Sequence, residues 1–142
     1  MKRNIAFCLL LVLSGAVSYA QCDKKLVLTS SKTEYLNASF VTQRTVDEQT
    51  VIEISKPNIT ITPGGEDNKM TGTIKSDSCN WKVPFKEGKT VYKAILSDPG
   101  GEAKSVTITI EGKEGKQTLL AEVDEMPDQK IRVSLEKFEE KK

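Results

Sequence analysis

Apolar and polar side chains alternate with a period of two over most of this chain, and that pattern restricts it to β structure. In "SVTITIEG" Val106, Ile108 and Ile110 alternate with Thr107, Thr109 and Glu111. "KIRVSLEK" repeats the pattern with Ile131, Val133 and Leu135 on one face and Arg132, Ser134 and Glu136 on the other. The same period runs through "KLVLT", "VIEIS", "NITIT", "KMTGTIK", "TVYKAIL" and "QTLLAEV". Eight or nine strands are predicted, rich in the β-branched residues that pack well on a pleated, half-buried surface. No window shows a sustained period of 3.6, and the best helical candidate is the short charged tail "LEKFEEKK". The stretch from Thr33 to Glu48 is harder to read, either a long second strand or a lid-like loop.

The connections carry turn chemistry. Ser55-Lys56-Pro57-Asn58, the Pro63–Asn68 stretch, Asp98-Pro99-Gly100-Gly101 and Met126-Pro127-Asp128 each separate two strand-like runs. Lys-Glu-Gly-Lys occurs at 86–89 and at 113–116, and both copies read as hairpin tips in which the glycine takes a left-handed conformation. Connections this short favour antiparallel neighbours, because parallel crossovers need a dozen or more residues. A meander of this length must protect its two edges. Closing into an up-and-down barrel does so, and an Ig-like β-sandwich is the alternative with a similar inward and outward pattern.

The first twenty residues stand apart. Lys2 and Arg3 precede an apolar run from Ile5 to Leu13 and a small-residue stretch ending at Ala20, the layout of a secretory signal peptide. Residues 21–142 are then a single domain, with export to the periplasm or beyond the cell as the expected location. Removing Lys2 and Arg3 from the chain's 21 basic residues leaves 19 against 20 acidic ones, a balance that argues against nucleic acid as partner. No later apolar run is long enough to form a transmembrane helix.

Cys8 falls in the leader, which leaves Cys22 and Cys79 as an even pair in an exported domain and therefore a candidate disulfide. The competing reading makes Cys22 a lipid-anchored first residue, although Gln21 is not the small residue that such processing favours.

Several chemistries are excluded or unsupported. The chain has no histidine, which removes Ser-His and Cys-His nucleophile pairs. Glu66-Asp67 and the group Glu122, Asp124, Glu125 and Asp128 lack calcium-loop spacing and read as solvated turns. No serine sits in a nucleophile motif, and neither a phosphate-binding loop nor zinc spacing is present. The expectation is a protein with no enzymatic activity, cofactor, catalytic residue or metal.

The stretch "CNWKVPFKEGKTVYK" holds the single tryptophan. Cys79, Trp81, Val83 and Phe85 fall on one face at period two, as a core arrangement or as the wall of an apolar pocket. Trp81, Phe85, Tyr92 and Ile108 are the residues expected to face the interior near any pocket.

The segments "DKKLVLTSSKTEY", "MTGTIKSDSCNW" and "KQTLLAEVDEMPDQKIRVSLEKF" resemble in strand order the small lipocalin-like domains secreted by Bacteroidetes. That resemblance implies an up-and-down barrel whose interior takes a small apolar ligand. Lipocalins carry Gly-x-Trp on the first strand, and "CDKKLVL" has neither residue. The leading functional expectation is an exported barrel binding a small apolar molecule or a cell-envelope component. The alternative is a protein-interaction or inhibitor module acting through loops or edge strands.

Overall fold

The computed structural model describes residues 22–141, so the expected signal peptide lies outside the described residues. Nine strands follow one another: β1 Leu26–Leu36, β2 Thr42–Ser55, β3 Asn58–Pro63, β4 Met70–Val83, β5 Glu87–Ser97, β6 Ala103–Lys113, β7 Lys116–Val123, β8 Lys130–Ser134 and β9 Lys137–Glu140. Each of the first seven pairs antiparallel with its successor, and β8 returns to pair with β1. The sheet thus closes into an up-and-down barrel rather than a sandwich. Closure pairs the two strands that would otherwise be open edges. Among the described residues, no helix is long and apolar enough to cross a membrane.

The final strands complete the seam together. β8 pairs with the second half of β1, through Thr33↔Val133 to Leu36↔Lys130, and β9 pairs with the first half, through Leu26↔Glu140 to Thr29↔Lys137. The tail read as the best helical candidate is therefore a strand. Its Phe138 packs edge-on against Trp81, with ring centroids 5.5 Å apart, and against Phe85 at 5.0 Å. Burial of that ring and pairing with β1 outweigh the weak helical propensity of a short charged segment.

β1 and β4 each carry two register shifts; two of the four are followed by a change of phase in the sequence, and the one between Trp81 and Val83 leaves Val83 exposed instead of on the Trp81 face. In β1 the inward positions run Leu26, Leu28 and Ser30, then continue at Thr33 after a register shift between Ser30 and Lys32. In β4 buried Ile74 gives way to half-buried Cys79 and buried Trp81 after a shift between Ile74 and Ser76. One extra residue moves the following side chains to the other face of a strand. The obscure stretch 33–48 is the end of β1, a tight connection at 37–41 and the first half of β2.

The two Lys-Glu-Gly-Lys copies differ in the fold. At the β6–β7 hairpin, Glu114 and Gly115 both have positive φ, 52° and 79°, so this copy is a turn tip. The first copy is displaced: Glu87, Gly88 and Lys89 already belong to β5, and Phe85 takes the left-handed conformation at φ 63°. Gly88 serves packing instead. It lies opposite Trp81 on β4 and opposite Gly112 on β6. A Cβ on Gly88 would come within 2.7 Å of Trp81 Cδ2, and one on Gly112 within 2.9 Å of Trp81 Cζ3. Two registered glycines clear the floor on which the indole rests.

The barrel has two unlike ends. The connections 56–57, 84–86 and 114–115 lie at the lower end, and 37–41, 64–69, 98–102 and 124–129 at the upper one. The lower half is filled by fully buried Leu28, Ile52, Ile54, Ile59, Ile108 and Ile110 together with Trp81 and Tyr92. Cys22 and Cys79 are disulfide-bonded at this end, with Cα atoms 6.0 Å apart, tying the start of the domain to the lower half of β4. Lys56 reinforces the junction, 3.0 Å from Asp77 and 3.9 Å from Asp23.

Candidate functional site

The upper half of the barrel is not filled. A cavity of about 230 Å³ lies between the strands there. One wall is apolar, built from Leu96 of β5, Val106 of β6, Leu119 and Val123 of β7, and Ile131 and Val133 of β8. Ile61 and Met70 continue it on the β3–β4 side. These are inward positions of their strands, so period-two alternation makes the wall greasy, and the small side chain of Ala121 leaves room in it.

The opposite wall is different. β1 and β2 contribute Thr33, Tyr35, Glu48 and Thr50. Thr33 and Thr50 are 3 % and 4 % exposed, and the Oγ1 of each is buried without a hydrogen-bond partner. An unpaired buried hydroxyl is disfavoured by about 1–3 kcal/mol, so two of them against one cavity set this wall apart from the packed interior below. Glu48 lies two residues before Thr50 on β2 and is half-buried, with no ion pair or hydrogen bond among the described residues.

At the upper end the cavity meets the rim. It shares Tyr35, Glu48, Pro63, Met70 and Asp98 with an outer depression that adds Asn68 and Pro99. Asp98 shapes the β5–β6 connection, its Oδ1 accepting a hydrogen bond from the Glu102 backbone N–H at 2.9 Å. Lys104 donates to Glu102 at 3.0 Å. That bond to Glu102 raises the ammonium pKa above the ordinary lysine value, with Asp98 and Glu125 adding to the effect through their charge. Arg44 stands over the Tyr35 ring, 4.3 Å from its centroid.

The residues expected at a pocket wall lie elsewhere. Trp81, Tyr92 and Ile108 are buried in the filled lower half, and none of the three lines the cavity. Ile108 sits two residues below Val106 on β6, roughly 7 Å deeper, and pairs directly with Tyr92. Phe85 is in the lower β4–β5 turn, against Phe138. All four face inward or pack on the core, below the cavity.

The residues missed, Thr33, Glu48 and Thr50, left a signal. Reading β2 backwards from Ile54 at period two gives Ile52, Thr50 and Glu48, an inward row that turns polar. Among the described residues, no group of three or more histidine, cysteine, aspartate or glutamate side chains is placed to hold a metal ion. The acidic stretch 122–128 is dispersed, with Glu122 paired to Lys130 at 2.7 Å and Asp124 in the β7–β8 connection.

Comparison with protein-family models, with curated proteins and with solved structures returns no match for this chain.

Proposed function

We propose that this protein is a non-catalytic, exported, lipocalin-like barrel that holds a small apolar molecule in the upper half of its interior. The observation that carries the reading is the contrast between the packed lower half and the cavity of about 230 Å³ above it, walled by Leu96, Val106, Leu119, Ile131 and Val133. Ligand pockets are concave, mostly apolar and fitted with a few polar groups. An apolar cavity of ~150 Å³ is already enough to take up benzene. The space here suits a short alkyl chain or one or two small rings. The Cys22–Cys79 disulfide is compatible with an oxidising compartment outside the cytosol.

The alternative, a partner-binding module, has narrower support. Phe40 and Val41 are exposed by half or more in the β1–β2 connection, but as two adjacent side chains rather than a broad apolar face. Residues 76–83 of β4 pair on one side only, with β5. The cavity therefore supports the ligand-binding reading over this alternative.

Titration with 1-octanol, followed by calorimetry and by methyl NMR shifts, tests it. Binding that shifts the methyl signals of Leu96, Leu119 and Val133, and leaves those of Leu28, Ile52 and Ile110 in place, is the expected result. Ala121→Phe, which puts a ring into the cavity, abolishes it. No binding, or shifts confined to the lower half or the surface, overturns the proposal.

A further inference from the structure

We infer that the ligand this cavity selects is an amphiphile with a hydrogen-bond-donating polar end, a protonated amine above all, and that an alkyl carboxylate is disfavoured. The inference rests on the ligand-binding reading above. It concerns which ligand is taken, and its test is separable from whether one is taken.

The cavity is two-sided. Its apolar wall accepts hydrocarbon without regard to headgroup, so selectivity must come from the β1–β2 wall and the rim. Thr33 and Thr50 present buried hydroxyl oxygens with no partner in the protein. A purely aliphatic ligand would seal them in unpaired, which is unfavourable, whereas a polar ligand atom can donate to or accept from either. These two oxygens favour an amphiphile over an alkane.

The charges favour one sign of headgroup. Glu48, Asp98 and Glu102 line the cavity together with Lys104. The Lys104 ammonium is already engaged by Glu102 at 3.0 Å, and the nearby Arg44 guanidinium covers the Tyr35 ring. Asp98 accepts a backbone hydrogen bond. Glu48 is the half-buried carboxylate that no described group neutralises, and it occupies the inward position next to Thr50 along β2. A protonated amine arriving there gains a charge-assisted hydrogen bond, the strong kind in a partly desolvated site. An arriving carboxylate meets like charge at Glu48, while the nearest cations, Lys104 and Arg44, are held by Glu102 and over the Tyr35 ring. The inward row Thr50 and Glu48 thus grades from neutral acceptor to anion along the direction in which a ligand lies.

Three probes of equal chain length, octylamine, 1-octanol and octanoate, titrated into the whole mature protein at neutral pH and low salt, test the inference by calorimetry. Octylamine is expected to bind about tenfold or more tightly than octanoate, the ratio a hydrogen bond to a charged group supports, with octanol between them. Glu48→Gln should bring octylamine down to the affinity of octanol and leave octanol unchanged. Thr33→Val and Thr50→Val should weaken octanol, and Ala121→Phe should remove all three. Methyl NMR of the lower half serves as the fold control for each variant. If octanol binds in the upper half but octylamine is no tighter than octanoate, or Glu48→Gln leaves the preference intact, this inference fails and the apolar-ligand reading stands. Amine binding that survives Ala121→Phe is surface adsorption and also overturns it. If none of the three binds, the ligand reading itself fails.

Discussion

The indole N–H of Trp81 donates a hydrogen bond to Thr90 Oγ1 at 2.6 Å, inside the lower barrel and across the β4–β5 pair. Thr90 in turn donates to Cys79 Sγ at 3.4 Å, so the tryptophan, the threonine and the disulfide form one chain. A large aromatic side chain can be buried here because its single polar atom is satisfied. Thr90→Val keeps the shape and leaves the indole N–H unpaired, which should destabilise the fold by about 1–3 kcal/mol. Thr90→Ser should recover most of that. Urea unfolding of the three proteins decides it, and a valine variant as stable as the parent would show the bond contributes nothing.

Gly112 is where the indole is supported from below. An added Cβ would lie 2.5 Å from the Lys86 carbonyl oxygen and 2.9 Å from Trp81 Cζ3. Backbone cannot yield cheaply, so Gly112→Ala is expected to cost about 1–3 kcal/mol, as overpacking of a tight core does. Trp81→Phe shortens the ring and should make the second substitution less damaging when the two are combined. A double-mutant cycle measures the coupling, and strictly additive effects would mean that the two positions do not meet.

Cys22 and Cys79 are 57 residues apart in sequence. On the loop-entropy account, removing the bond by a double Cys→Ser substitution should lower stability by about 4 kcal/mol. Equilibrium unfolding under oxidising and reducing conditions checks this. The double variant should also become insensitive to reductant, whereas an unchanged response would place the redox effect elsewhere.

Tyr92 provides a pH dependence with a definite sign. Burial, helped by the negative charge of Asp77, raises its phenol pKa above the ordinary tyrosine value. The folded chain therefore holds this proton to higher pH than the unfolded chain does. Its stabilising effect is complete below the unfolded value near ~10 and is lost as pH rises beyond it. Alkaline titration should show stability falling above that point, and Tyr92→Phe should flatten the decline while introducing no new titration. An equal decline in both proteins would assign the effect to other groups.

The architecture was largely readable because alternation is a local property. Val106, Ile108 and Ile110 announce an inward row without reference to any other strand, and β6 places all three inside. Short polar connections then leave antiparallel neighbours as the simplest arrangement, which the β1–β8 pairing closes. The tail misled because four residues around Phe138 carry too little periodicity to declare a strand. The surfaces of Trp81 and Phe85 and pairing with β1 make β9 favourable.

The amino-acid order by itself determined which side chains turn inward within each unbroken run of strand, since on a pleated ribbon that depends on parity. It did not determine how far along the barrel each one comes to rest. That height depends on register, on the bulges after Ser30 and Ile74, and on Trp81 settling over two glycines from neighbouring strands. These relationships join positions far apart in the chain, so only the assembled barrel could place Tyr92 and Ile108 in the packed floor and leave Thr33, Glu48 and Thr50 beside the open space.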